Sequence, residues 1–531
     1  MKLTTRLHQH CLVRINGATF SKHTGPNAAA LFKNKIEKFE VWKPQNSTLE
    51  GKQYTSDSGA FWAITGPLKS TFLSVLAGRL FASPKLARTY PFISKTFQYD
   101  RVTFLDFKES SGLDKVHLSA RYESYSYKGE LEMSDDVNSV LNYIIGSNNY
   151  NSNTAKGVEA AYVDRLMELF NLKHLSKKWI NSLSNGQLRR ARIAKSLILK
   201  PNLLIIDDPF LGLDPKATIL VLESLRRVSQ DLGIAMVLGL RVQDPTPAWV
   251  THAGHVTEDG LVMNGFKEDV YIPQEAATVT EPVPAKLEEI SNSSLSPSHI
   301  QFTNASVAYR GLKVLDKFNW NIPHGSKWRI LGDNGTGKTT ILSLITADHP
   351  QSWRSVISIE GKPRKTGSGA NFFDVNNVIG ISSPEMHALV PDNNTAKEII
   401  VNALVRGVGN TNFFYKGEPN ETYHELVNKF PIMNTLENTK FKDLSITHQK
   451  LVLFLRAVVK EPQLLILDEA FSCMDDPVLM RQCQELVGSL PCTVLAIGHI
   501  EWELPNFEYV LKLFGDEERN YKIYKVVLDG R

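Results

Sequence analysis

Two different blocks of this 531-residue chain occur twice, in the same order and at nearly the same separation. Phe61–Gly78 (FWAITGPLKSTFLSVLAG) parallels Lys327–Ala347 (KWRILGDNGTGKTTILSLITA). Ser182–Phe210 (SLSNGQLRRARIAKSLILKPNLLIIDDPF) parallels Asp443–Phe471 (DLSITHQKLVLFLRAVVKEPQLLILDEAF) without a gap. The second pair is offset by 261 positions throughout, and the tryptophans Trp62 and Trp328 by 266. Chance similarity of apolar strands can mimic one block, but not two in order at matching separation, so the chain holds two copies of one domain. The boundaries follow: a terminal segment at 1–10, a first copy over 11–267, a connection over 268–298 and a second copy over 299–531. Pro, Ser, Thr and Glu dominate the connection and no apolar period runs through it, so it reads as an extended linker.

The second copy carries the chemistry most openly. Gly332-Asp333-Asn334-Gly335-Thr336-Gly337-Lys338-Thr339 matches GxxxxGK[ST] at every position, after an apolar strand and opening the amphipathic helix ILSLI, and with Thr340 these residues are the candidate nucleotide contacts. In that setting the glycines let backbone N–H groups wrap phosphates and the helix N-terminus adds its positive dipole end. Lys338 then meets the β- and γ-phosphates, and Thr339 is a Mg²⁺ ligand. Downstream, LLILDEAF (Leu464–Phe471) is an apolar strand ending in two carboxylates: Asp468 to hold Mg²⁺ and Glu469 to polarise an attacking water. Strand–loop–helix units of this kind imply α/β domains with mostly parallel sheets.

With these residues in place, the chain resembles the ATP-binding cassette (ABC) family. Leu183-Ser184-Asn185-Gly186-Gln187 resembles the family's signature motif, lying between a phosphate loop and an acidic strand end. Lys338, Asp468, Glu469 and His499 resemble the P-loop lysine, Walker B aspartate, catalytic glutamate and switch histidine, and Tyr309 the aromatic that stacks on adenine. The membrane-free tandem arrangement is similar to the molybdate-operon and photorepair-type double-cassette proteins. The resemblance implies, for each copy, an α/β P-loop core with an antiparallel β portion and a helical insertion. It also implies ATP and Mg²⁺ as ligands, and head-to-tail pairing of the two cassettes as a pseudo-dimer.

The departures from the family pattern sort by copy. In the first, Gly66-Pro67-Leu68-Lys69-Ser70-Thr71 keeps Gly66, Lys69, Ser70 and Thr71 as nucleotide-contacting candidates, but the loop is three residues short and the wrapping N–H donors are missing. Asp208 stands where the general base is normally Glu, and Arg241 at the switch-histidine position. Lys22 or His23 falls where the adenine-stacking aromatic belongs. The signatures are degraded the other way: Ser184, Gly186 and Gln187 remain in the first copy, while Thr447 replaces the glycine in the second, where a Cβ obstructs a phosphate. In a head-to-tail pair every good part falls in one composite site and every poor part in the other. The expectation is one hydrolytic site and one degenerate site. No glutamine marks either Q-loop; Pro384 or Glu385, and Glu109 or Ser110, occupy those regions.

Composition narrows the remaining function classes. A net charge of +4 forces no nucleic-acid footprint. The longest apolar runs, such as Gly233–Leu240, fall far short of the roughly 18 residues that cross a bilayer, so the chain reads as soluble. Four cysteines without CxxC spacing fit a reducing compartment. No acidic residue precedes Glu37, and MKLTTRLHQHCLVR reads either as a very short mitochondrial transit peptide or as the approach to a first strand; the cytoplasm is the other location. An ATPase whose cycle works on a protein partner leads. An energising subunit for a membrane protein and a ribosome-associated tandem factor follow, nucleic acid being disfavoured by the short acidic linker. From His23 to Gly66 the first copy spans 43 positions, against 23 from Tyr309 to Gly332, which predicts a longer β-hairpin.

Overall fold

The structure is a computed structural model. It describes the chain except residues 1–9, 26–27, 45–57, 94–101, 108–138, 147–158, 181–182, 184, 212, 214, 242–243, 271–284, 296–297, 310–311, 334, 350, 353–356, 365–371, 408–409, 411, 473, 475, 499–506 and 529–531. The chain separates into two compact units that divide at Ala277 and Thr278.

The first unit runs β1 (Cys11–Ser21), β2 (Ile36–Trp42), β3 (Ser58–Gly59), β4 (Phe61–Thr65), α1 (Lys69–Leu76), β5 (Phe81–Ser83), β6 (Arg88–Thr89) and β7 (Val102–Asp106). It continues through α2 (Val140–Ile145), α3 (Ala160–Leu169), α4 (Asn185–Leu197), β8 (Leu203–Asp207), α5 (Pro215–Asp231), β9 (Ala235–Gly239), β10 (His252–Thr257) and β11 (Gly260–Phe266). Its core sheet has the order β11-β10-β4-β9-β8-β7, parallel except for β11. Strand β1 anchors a second, largely antiparallel sheet.

The second unit repeats this plan with β12 (Ala285–Glu289), β13 (Ser298–Tyr309), β14 (Leu312–Pro323), β15 (Lys327–Leu331), α6 (Lys338–Ile345), β16 (Ile357–Ile359), β17 (Lys362–Pro363), α7 (Phe372–Asn377) and β18 (Ile379–Ser382). Helices α8 (Pro384–Leu389), α9 (Ala396–Asn402), α10 (Glu421–Lys429), α11 (Met433–Leu436) and α12 (Ile446–Val458) form its helical portion. Then come β19 (Leu464–Asp468), α13 (Pro477–Ser489), β20 (Thr493–Ile497), β21 (Tyr509–Leu513) and β22 (Tyr521–Leu528). Its core sheet, β12-β22-β21-β15-β20-β19-β18, superposes strand for strand in order on the first, with β12 added at the edge.

The repeat is therefore structural, and its cause is visible in the strands. LLIID and LLILD are buried at every position, as parallel strands covered on both faces must be. Trp62 and Trp328 are fully buried, and each indole N–H has an acceptor, Gly59 O at 3.0 Å and Ser326 Oγ at 2.8 Å.

Two sequence expectations change here. The extra residues of the first copy do not lengthen its hairpin strands, since β1 and β2 span 11 and 7 residues against 12 each for β13 and β14. The hairpin is longer instead between its strands, where residues 22–35 stand against 310–311 in the second copy. The stretch read as linker contains a strand: Ala285–Glu289 pairs antiparallel with β22. Edge pairing uses backbone groups and needs no apolar period, so nothing in the side-chain pattern announced it. Strand β1 begins at Cys11, and residues 1–9, on which the transit-peptide reading rests, lie outside the described residues.

Burial also sets an acid limit on the second unit. Desolvation pushes His349 and His387 down to about 4, with Lys450 adding to the shift at His387. A histidine held neutral stabilises the fold above its unfolded value near 6.5 and loses that contribution as pH falls toward 4. Each residue contributes on the order of 3 kcal/mol at the limit. Hydrogen exchange read peptide by peptide should show the second unit loosening between pH 6.5 and 4, with a shallower slope in His349→Asn.

Candidate nucleotide site

In the second unit β15 delivers the chain into a loop that ends on α6. Gly332 has φ +155°, and a Cβ there would stand 2.9 Å from Leu513 O and 2.5 Å from Thr336 Oγ1, so the turn admits only glycine. Thr336 Oγ1 donates to Asp333 O (2.9 Å), closing the loop on itself. Lys338 is buried and its Nζ donates to Gly332 O (2.6 Å) and Asp333 O (3.0 Å), inside the loop's own ring of carbonyls. Gly335, Gly337 and Thr340 complete the loop and first helical turn. Thr339 Oγ1 lies 3.5 Å from Asp468 Oδ2 at the tip of β19. Burial drives the Asp468 carboxyl well above the usual carboxylate range, helped by Glu385 and Glu469 and opposed by Lys338 and Lys450. A hydroxyl beside a buried carboxylate with further carboxylates near is a hard-oxygen donor set that a Mg²⁺ ion fits.

Glu469 follows with φ +47°. Its backbone is pinned on both sides: its N–H donates to Ile497 O (2.9 Å), and its carbonyl accepts from Lys450 Nζ (3.0 Å) and Ser472 Oγ (2.7 Å). Tyr309 is the last residue of β13, while Asn334 and His499 lie outside the described residues.

The first unit builds the same corner differently. Gly66 sits at φ +103°, directly against the carbonyl of Val256, and α1 starts three residues later with no side-chain cap. Lys69 is 2% exposed and its Nζ is 3.3 Å from Oδ1 of Asp208, whose side chain is fully buried. The lysine that in the second unit lies among loop carbonyls is here ion-paired to the residue at the general-base position. Asp208 has φ +50° and its N–H bonds Gly239 O at 3.0 Å, matching Glu469 in backbone and differing in side chain. Arg241 is turned onto Asp244, with its guanidinium 2.7 Å from Oδ1. Ser70 and Thr71 follow Lys69 on α1.

The comparisons with known proteins agree with this geometry. The family model described as ABC transporter matches residues 53–211 and 315–472, more than half of the chain. The chain belongs to the ATP-binding cassette family. YDR061W of Saccharomyces cerevisiae, an ABC transporter ATP-binding protein, is 33% identical over 96% of this chain and 97% of its own length. ModF of Escherichia coli, also an ABC transporter ATP-binding protein, is 28% identical over 86% and 92%. Ribosome-bound archaeal ABCE1 covers 98% of this chain and 79% of its own with TM-score 0.56; at 14% identity that likeness is one of fold. The protein is a tandem, ATP-binding, P-loop-type ABC ATPase, and among the described residues no helix is long and apolar enough to cross a membrane.

On the signature helices the two cassettes diverge again. In the first, Ser184 lies outside the described residues; Gly186 is buried in the first turn of α4, where a Cβ would stand 2.7 Å from Ala217 Cβ, and Gln187 follows. The glycine thus serves packing on α5 as well as any approach to phosphate. In the second cassette Thr447 is buried at the aligned position, and Ser445 caps α12 by accepting from His448 N at 3.2 Å.

Two features escaped the sequence reading. Arg189 on α4 donates to the carbonyls of Asp208, Pro209 and Leu211 (2.9, 3.1 and 2.6 Å), and Lys450 on α12 grips Glu469 O. These cations occupy the same place at the 261 offset, so paired basic residues in the repeat were the available signal. The other is the reach of Glu385, already a Q-loop candidate, to Asp468: the β18–β19 register sets Ser382 beside Leu467, which brings the first turn of α8 to the Asp468 end of the sheet. Of the Q-loop candidates, Glu385 is the one whose charge bears on Asp468; Glu109 and Ser110 lie outside the described residues.

Proposed function

We propose that this protein hydrolyses ATP at one composite site, built from the second cassette's phosphate loop and acidic strand end with the first cassette's signature, and that the other site is degenerate. The contrast between the two loop lysines carries the reading: Lys338 lies within a glycine-lined phosphate loop, whereas Lys69 is neutralised by Asp208.

ATP enters as substrate, with Tyr309 under adenine, the N–H groups of 332–339 around the β- and γ-phosphates, and Ser184 and Gly186 of the first cassette closing over the γ-phosphate. Thr339 and Asp468 would hold Mg²⁺, which neutralises phosphate charge when bound. Glu469 takes a proton from water as the water oxygen attacks the γ-phosphorus. The bond to the β–γ bridging oxygen breaks, and ADP and phosphate leave. Lys338 and the α6 N-terminus face the charge that develops on the γ-phosphoryl oxygens. His499 orients the γ-phosphate side. Closing and opening of a head-to-tail cassette pair, coupled to this cycle, would act on a protein partner through the helical regions, where Phe414 of the second cassette is 94% exposed.

Mirror substitutions in the two signatures test the reading. Mg²⁺-dependent hydrolysis should fall at least about 100-fold in Ser184→Arg, the scale of losing one transition-state donor. It should stay within about threefold in Ser445→Arg, which removes only a helix cap worth about 1 kcal/mol. Equal losses from both would mean two competent sites, and no loss from Ser184→Arg would remove the composite site.

A further inference from the structure

At the end of the second cassette's sheet opposite the phosphate loop, two histidines and a glutamate come together. His299 lies on β13, His324 in the turn before β15 and Glu360 in the turn between β16 and β17, and one ligand-capable atom of each lies within 4.8 Å of the others. His299 is 3% exposed; the other two residues are exposed. The His324 ring stacks on that of His299 with centroids 4.4 Å apart, and the Glu360 N–H donates to His299 O at 2.8 Å. All three are thus held to one point by the fold.

The buried imidazole is also oriented. Its Nδ1 lies 2.8 Å from Thr493 Oγ1, the first residue of β20. That oxygen accepts from Gly325 N (3.0 Å) and has Pro323 O (3.5 Å) as acceptor for its own proton. Thr493 is thus an outer-shell partner that engages Nδ1, fixes the ring and leaves Nε2 as the nitrogen available to a ligand. Among the described residues, the first cassette shows no such group. Strand register sets Ala235 opposite Leu203 where Thr493 stands opposite Leu464, and the 266 offset puts Ser58 in the place of His324.

We propose that His299, His324 and Glu360 bind a divalent transition-metal ion of the Zn²⁺ class, fastening the β13–β17 sheet to the parallel core at Thr493. Two imidazoles and one carboxylate suit Zn²⁺, whereas Mg²⁺ and Ca²⁺ take oxygen-rich sets. Ligands at about 2.0–2.2 Å need their donor atoms roughly 3.4 Å apart. The exposed His324 and Glu360 can rotate to reach that spacing around the fixed His299, with water completing the shell. The strand β15 separates this cluster from Gly332, so it is a different site from the one that would hold Mg²⁺ with nucleotide.

The test is Co²⁺ titration of untagged, chelator-stripped, nucleotide-free full-length protein, read by visible absorbance, with Zn²⁺ competition. One equivalent should bind, be displaced by Zn²⁺, and weaken about 100-fold or more in His324→Ala and in Glu360→Gln. Both substitutions are at exposed positions, so folding is preserved where His299→Ala would risk it. His8, His10 and Cys11 near the N-terminus are a second source of ligands, and a His8→Ala/His10→Ala variant should bind as wild type does. Absence of a cobalt band, or a band that survives His324→Ala unchanged, overturns the proposal.

Discussion

Lys69→Met should destabilise the first cassette by about 3–5 kcal/mol, the cost of stranding one partner of a buried ion pair. Lys69 is 2% exposed and Asp208 fully buried, so water cannot replace the lost charge on either. Lys338→Met should behave in the opposite manner. Its Nζ contacts are loop carbonyls, so the fold loses about 1–3 kcal/mol while the second site loses its phosphate contact. Hydrogen exchange on the peptides covering α1 and β8 reads the first effect and equilibrium ATP binding the second. The double variant Lys69→Met/Asp208→Asn should recover most of the loss, because it removes both charges together. Unchanged protection in Lys69→Met would mean the pair does not hold this corner. The result also bears on how the first site is probed: a Lys69 substitution disturbs folding, so turnover in such a variant reports on stability as much as on catalysis.

The depth of the buried pair explains what the sequence could and could not reveal. The cassette cores were legible because their constraints are local: an apolar strand, a glycine turn and a helix follow one another within twenty residues around Trp62 and again around Trp328. Lys338, Thr339 and Asp468 come together as the motif spacing implies, since P-loop and acidic strand lie on β15 and β19, one strand apart in the sheet. The fate of Lys69 was not legible. Its motif was visibly short, but that the lysine would fall back onto Asp208 depends on Gly66 closing against Val256, a residue 190 positions away. Strand β12 was missed because edge pairing leaves no periodic trace; Glu385 was a Q-loop candidate, but its bearing on Asp468 was not legible because it comes from β18–β19 register rather than from sequence distance. Contacts made by backbone and by distant packing are the ones a linear reading omits.

Glu469→Gln should retain ATP binding and lower turnover by about 10²–10⁴-fold, the usual contribution of a positioned general base. The substitution is isosteric, and the backbone at Glu469 is held independently of its side chain by Ile497 O, Lys450 Nζ and Ser472 Oγ, so the strand end should not move. Its effect on the neighbouring carboxylate runs in a definite direction. The Glu469 charge is one of the causes that push Asp468 up, so removing it makes Asp468 easier to ionise. A carboxylate more readily charged beside Thr339 favours Mg²⁺–nucleotide binding, and the variant should therefore show a fall in kcat without a rise in KM. Loss of an interaction made only in the transition state has that form. The matched change in the first cassette, Asp208→Asn, removes no base from the proposed hydrolytic site; its cost should appear as lost protection around Lys69. Equilibrium binding of a fluorescent ATP analogue and single-turnover hydrolysis separate the two quantities. If Glu469→Gln keeps full turnover, the attacking water is activated elsewhere, and Glu385, the other carboxylate bearing on Asp468, becomes the residue to substitute next.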